Sequence, residues 1–340
     1  MRNTTTVRWT LAAIASGFLT QTAPAQTAPD FYQGKTIQVI VGNPTGTGFD
    51  LYARALAQHM PKHIPGKPSM VVQNLPGAGS LKGLQFLSVT APRDGTTIGT
   101  FNANLVNLSV LEPKTTETID FDALNWLGNM SSDTKVCFSW TESGVRKPED
   151  LKTKQLILGA TSKGSGDVYG SILRTLYGDN VKIVLGYVTN ADVWVAFENG
   201  EATGNCTGWG VIPVRKPDWV RDNKVSVLVQ FAKTASPYLK DAPLIYDLPM
   251  SDEMRSAISF ITQADAITRP FIAPPGVPKD RVDILRRAFA ETLHDREFLD
   301  FVKRADLDIA YMDAETLART VSDIRRTPRA AVELARKLSE

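Results

Sequence analysis

Three times in this 340-residue chain an apolar run ends in a glycine-rich turn and passes into a helix-like pattern. The turns are NPTGTGFD (43–50), NLPGAGSLKG (74–83) and GATSKGSGD (159–167). A repeated strand–turn–helix unit predicts an α/β architecture with a largely parallel sheet. Glycine lets the backbone turn tightly and approach a ligand. The helix that follows presents unpaired N–H groups and a partial positive charge. Such a turn suits an anion. In open α/β sheets it also lines the crevice at the carboxyl ends of the strands. Plain helix initiation, with Ser, Thr and Asp as N-caps, explains any one turn alone. Three together favour a shared ligand site. Asp50 is the exception among their residues, because its charge repels a carboxylate in direct contact. It is assigned a structural or amine-reading role first.

The alternation runs from end to end. Strands are predicted at 36–43, 69–75, 96–101, 135–140, 155–160, 181–185 and 224–232, with a further strand-like run in ATGNCTG (202–208). Helices are predicted at Phe49–Met60, Ser80–Ser88, Asp167–Tyr177 and Asp192–Asn199, and over most of Lys279–Glu340 with a break near Pro328. Three stretches read as irregular: Glu112–Asp122, Ser236–Pro249 and Arg269–Pro278. They bracket a central block, so the simplest organisation is two lobes. Lobe I takes 30–130 plus 263–340, and lobe II is 131–262.

Hydrophobic residues make up 43% of the chain and charged residues 22%, which excludes a disordered or multi-span membrane protein. Residues 1–25 read as an export signal: Arg2 and Arg8, an apolar run too short to span a bilayer, then Ala23-Pro24-Ala25. Without that segment Lys+Arg and Asp+Glu balance at 36 each. No basic excess exists to drive phosphate binding, so no nucleic-acid partner is expected. The expected location is the periplasm. There Cys137 and Cys206 permit one disulfide, with two buried free thiols as the alternative.

Other chemistries fit poorly. Neither of the first two turns completes G-x-G-x-x-G, since Leu51 and Lys82 stand where the third glycine belongs. Ser165 lacks the first glycine of a nucleophile elbow, because Lys163 is there. His59 and His63 are four apart, but Met60 replaces a general-base Glu and Pro61 breaks the helix, so they read as a solvent-facing helix end. Neither catalytic residues, nor a metal site, nor a cofactor are expected. A periplasmic hydrolase or isomerase using Asp50 or the Ser165 turn is the rival from another class.

The run DFYQGKTIQVIVGNPTGTGFDLYARALAQHMPKHIPGKPSMVVQNLPGAGSLKG (30–83) resembles the Bug family. These are periplasmic solute receptors of tripartite tricarboxylate transporters. APRDGTTIGTFN, the third turn, NADVWVAFENGEATG and RPFIAPPGVP extend the likeness over nearly all of the mature chain. The resemblance implies a two-lobed type II periplasmic-binding fold, a Venus flytrap with mixed, mostly parallel sheets. It implies a monomer that closes on a small carboxylate, such as a di- or tricarboxylate or an aromatic acid. The implied partners are one large and one small membrane subunit, with a sensor as the alternative role. By the same resemblance, Pro44, Thr45, Gly46, Thr47 and Gly48 hold a ligand carboxylate together with Gly77, Ala78, Gly79 and Ser80. Thr161, Ser162, Gly164 and Ser165 face the distal part of the ligand, as do Tyr187 and Asn205. Thr47 replaces the middle glycine of the family's first turn, which adds a hydroxyl or narrows the site.

Overall fold

The computed structural model describes residues 31–160, 167–187 and 189–339. The expected export signal, Thr161, Ser162, Gly164 and Ser165 therefore lie outside the described residues. Two mixed sheets organise the chain. The first orders β11 (Met312–Asp313), β4 (Asn125–Asn129), β10 (Pro270–Ala273), β3 (Thr97–Thr100), β1 (Thr36–Val41) and β2 (Ser69–Asn74). The second orders β7 (Val181–Val184), β6 (Leu156–Gly159), β8 (Gly204–Gly208), β5 (Lys135–Trp140) and β9 (Val225–Phe231).

The two sheets share one plan. In each, the second strand flanks the first, the third lies on the other side, and an antiparallel strand precedes the fourth. That antiparallel strand is β10 in the first sheet and β5 in the second. The carboxyl ends of the remaining long strands point the same way within each sheet, so their turns gather along one edge.

β10 corrects the sequence reading, which took Arg269–Pro278 as irregular. Pro270 begins the strand, where a missing N–H is tolerated, and Phe271, Ile272 and Ala273 are fully buried beside β3 and β4. Three apolar residues are too few to show a period. The helix Asp252–Gln263 is a further element absent from the sequence reading.

Two connecting segments pass between the sheets and bond to each other. Met130 N–H donates to Arg269 O, Thr268 N–H to Ser131 O, and Asp133 N–H to Asp265 O, at 2.8–3.1 Å. Beside this ladder Lys135 Nζ donates to Asp133 Oδ2 at 2.6 Å, and the Tyr169 hydroxyl donates to Asp265 Oδ2. Burial pushes the Asp265 carboxyl up to about 6, against the pull of Lys135 and the Tyr169 hydrogen bond. A raised acid pKa means that the folded chain binds the extra proton between about pH 4 and 6. Stability therefore falls as pH rises through that window. Urea titrations across it should show this decline in the wild type and a flatter profile in Asp265→Asn. An unchanged slope in the variant would assign the dependence elsewhere.

Elsewhere the histidine reading needs correction. His59 is buried, not solvent-facing, and packs against Phe298 and Phe301. Burial pushes its pKa down. Among the described residues no cluster of His, Cys, Asp and Glu suits a metal ion, and no helix is long and apolar enough to cross a membrane.

Candidate functional site

The first turn leaves β1 and enters the helix Gly48–His59. Asp50, buried in that helix's first turn, braces it. Its Oδ2 accepts from Gly46 N–H and from Arg54 Nε–H, each at 2.9 Å. Burial pushes this carboxyl up, but hydrogen bonds from Arg54, Gly46 and Asn74 outweigh it and leave the pKa below its usual value. Its Oδ2 is thus engaged within its own turn, while Oδ1 is buried without a hydrogen-bond partner among the described residues. The Thr47 hydroxyl donates to Pro44 O at 2.7 Å, closing the turn on itself. Pro44, Thr45 and Gly46 remain exposed at the tip.

The second turn follows β2 with four successive positive φ angles: Gly77 146°, Ala78 46°, Gly79 62° and Ser80 86°. Ala78 and Ser80 carry a Cβ in this left-handed region, which costs on the order of 1 kcal/mol each. Ser80 is held there by its surroundings. Its buried Oγ donates to Asn43 Oδ1 at 3.3 Å and accepts from Asn102 N–H at 3.1 Å. Asn74 Nδ2 donates to Asn43 O at 2.9 Å, while its Oδ1 accepts from Arg54 Nη2 at 3.3 Å.

Glycine permits this convergence. A Cβ at Gly42 would overlap Ser80 Oγ, and one at Gly83 would lie 2.7 Å from Gly42 Cα. The backbones of the two turns therefore touch. Asn43 and Ser80 thus join the bases of the two turns, with Asn102, and Pro44–Gly48, Asp50 and Gly77–Ser80 all follow the carboxyl ends of β1 and β2.

In the second sheet, Asn205 is buried on β8. Its Nδ2 donates to Gly159 O at 2.9 Å and its Oδ1 accepts from Trp194 Nε1 at 3.4 Å. A Cβ at Gly159 would meet the Tyr187 ring at 3.4 Å. Both residues thus flank the stem of the third turn, with the Asn205 amide already bonded to protein and Tyr187 half-buried. Behind them Cys137 and Cys206 form a disulfide between directly opposed positions of β5 and β8. A separate cavity of about 450 Å³, lined by Lys233, Tyr246, Arg255, Ser256 and Ser259, shares no residue with these groups.

One cation beside the first turn escaped the sequence reading. Arg269 precedes β10, and its guanidinium lies over the Phe49 ring at 4.2 Å and the Tyr52 ring at 5.3 Å. A Cβ at Gly48 would come within 2.8 Å of its Nη2. Desolvation by burial pushes the guanidinium pKa down, against Tyr52 and Asp133. Spacing gave no signal for this residue, because more than 200 positions separate it from the turn it touches.

No protein-family model matches the chain. The UPF0065 protein in the gbd 5′ region of Cupriavidus necator is 25% identical over 337 residues, covering 95% of this chain and 94% of that one. Among solved structures, an unliganded TctC solute-binding protein from Polaromonas matches with a TM-score of 0.70 and 17% identity, over 90% of this chain and 99% of that one. The periplasmic binding protein BugD matches at TM-score 0.54 and 19% identity, over 90% and 98%. MatC from Rhodopseudomonas palustris, with bound malate, matches at 0.52 and 17%, over 90% and 99%. The chain is thus similar to the Bug and TctC solute-binding proteins, and it shares their two-lobed periplasmic-binding fold.

Proposed function

We propose that this chain, built on the fold of the TctC and Bug solute-binding proteins, is a periplasmic receptor that captures a small carboxylate. In this reading the ligand is a di- or tricarboxylate or an aromatic acid. A cleavable signal ending near Ala25 exports the chain. Lobe I (30–130 and 263–340) and lobe II (131–262) then close on the ligand. The closed form delivers it to the large and small membrane subunits of a tripartite tricarboxylate transporter. The process is capture without chemistry.

The observation that supports this most is the contact between the first two glycine turns at one sheet edge. Gly42 and Asn43, at the base of the first turn, pack against Ser80 and Gly83 of the second. Asp50 is buried and its Oδ2 is engaged within its own turn, which keeps this carboxylate away from the exposed backbone at the tips. A helix N-terminus contributes about 0.3–1 kcal/mol to an exposed anion and up to about 2 when partly buried. Hydrogen bonds to a charged group add about 1.5–3 kcal/mol each. Micromolar affinity needs about 8 kcal/mol, so a few such contacts suffice. Closure follows only to the extent that the ligand binds the closed form better.

A thermal-shift screen of small acids against their neutral amides tests the reading. Several acids should raise the melting temperature or quench Trp fluorescence, and the matched amides should not. Equal responses to acids and amides, or turnover of a bound acid, would contradict it.

A further inference from the structure

We propose that Arg269 is a specificity-determining residue of this cleft, its guanidinium fork meeting the ligand carboxylate beside the Pro44–Gly48 turn. The inference rests on the receptor reading and adds to it a formal charge that backbone amides do not supply.

β10 runs antiparallel to β3 and β4, so its first residues lie at the carboxyl edge where the turns gather. Arg269, immediately before it, is fixed by main-chain bonds. Its N–H donates to Asn129 Oδ1 at 2.9 Å, and its carbonyl accepts from Met130 N–H at 3.0 Å. The side chain then reaches the first residue of the helix Gly48–His59. Glycine at position 48 makes room for it, since a side chain there would collide with Nη2.

The bonding state points to a ligand. A guanidinium has five N–H donors. Among the described residues one protein bond is made, from Nη1 to Thr268 O at 2.8 Å, while Nε is buried without a partner. No carboxylate forms an ion pair with it among the described residues. Asp133, whose charge is felt at the guanidinium, is held instead by Lys135 Nζ at 2.6 Å. A cation pressed against the positive end of a helix is unfavourable, and a half-buried charge without a counter-ion more so. A carboxylate seated between the helix N-terminus and the fork relieves both. The Phe49 and Tyr52 rings hold the fork in place, so little ordering remains when the anion arrives. Lysine cannot reproduce the planar two-point contact.

Titration calorimetry on the mature chain tests the assignment with succinate, malate and benzoate against succinamide, malamide and benzamide. Arg269→Gln should weaken binding of whichever acid the wild type takes by about 30-fold and leave amide binding unchanged. Arg269→Lys should fall between. If wild-type protein binds an acid and folded Arg269→Gln binds it equally, the assignment fails while the receptor reading stands. If the wild type prefers none of the acids, the receptor reading fails and the assignment with it. Should the variant not fold, phenylglyoxal labelling of the wild type decides. Bound acid should slow modification of Arg269, and an unchanged rate would overturn the role.

Discussion

A Gly42→Val variant should lose carboxylate binding and at least about 3 kcal/mol of stability. The reason lies in the contact between the turns. A Cβ at Gly42 overlaps Ser80 Oγ and comes within 3.0 Å of the Ser80 carbonyl. Ser80 cannot yield cheaply, because it is buried in a left-handed conformation and bonded to Asn43 and Asn102. Forcing it aside breaks both bonds and drives the second turn away from the first. Gly46→Ala is the control. Gly46, unlike Gly42, sits at positive φ, 81°, but nothing lies within 4 Å of a Cβ there. It should cost only about 1 kcal/mol of backbone strain. Chemical denaturation and ligand titration of both variants measure the difference. Equal behaviour of the two would mean that contact between the turns does not shape the site.

Reduction of Cys137–Cys206 should have the second large effect. The bridge spans 69 positions of chain. Closing a loop of that length removes about 4 kcal/mol of unfolded-state entropy in the chain model, with 2–4 kcal/mol typical in practice. It also ties β5, the strand that enters from the first sheet, to β8, which carries Asn205. Reduction or the Cys137→Ala/Cys206→Ala double change should lower the melting temperature by roughly 5–10 °C. Mass spectrometry should show two added hydrogens on reduction. An unchanged melting temperature with no mass shift would mean that the bridge does not form in solution.

The sequence carried much of this organisation in plain form. β1, β2, β3, β5, β6, β7 and β9 announce themselves through β-branched apolar runs, and the first two turns through glycine spacing. What stayed hidden depends on contacts between distant segments. PFIA is a central strand because β3 and β4 flank it, and no short-range pattern in RPFIAPPGVP says so. β4, NWLGN, is masked by its polar ends, whose Asn125 and Asn129 side chains cap neighbouring backbone at Pro274 and Ser131. Gly42 reads as the end of a strand, and only packing reveals that Ser80 occupies the space of its missing side chain. Arg269 is invisible for the same reason. One arginine among many becomes distinctive when its neighbours turn out to be Gly48, Phe49 and Tyr52.

In the proposed receptor the two exposed turns grip an anionic group through their backbone. Titrating an acid and its amide in parallel into wild type and Gly79→Val tests it most directly. Gly79 has a φ of 62° and open space at its Cβ position, so the variant should fold while its turn is displaced. The wild type should bind the acid and ignore the amide, and Gly79→Val should lose the acid by at least about tenfold. Equal affinity for acid and amide, or undiminished acid binding by folded Gly79→Val, would contradict it.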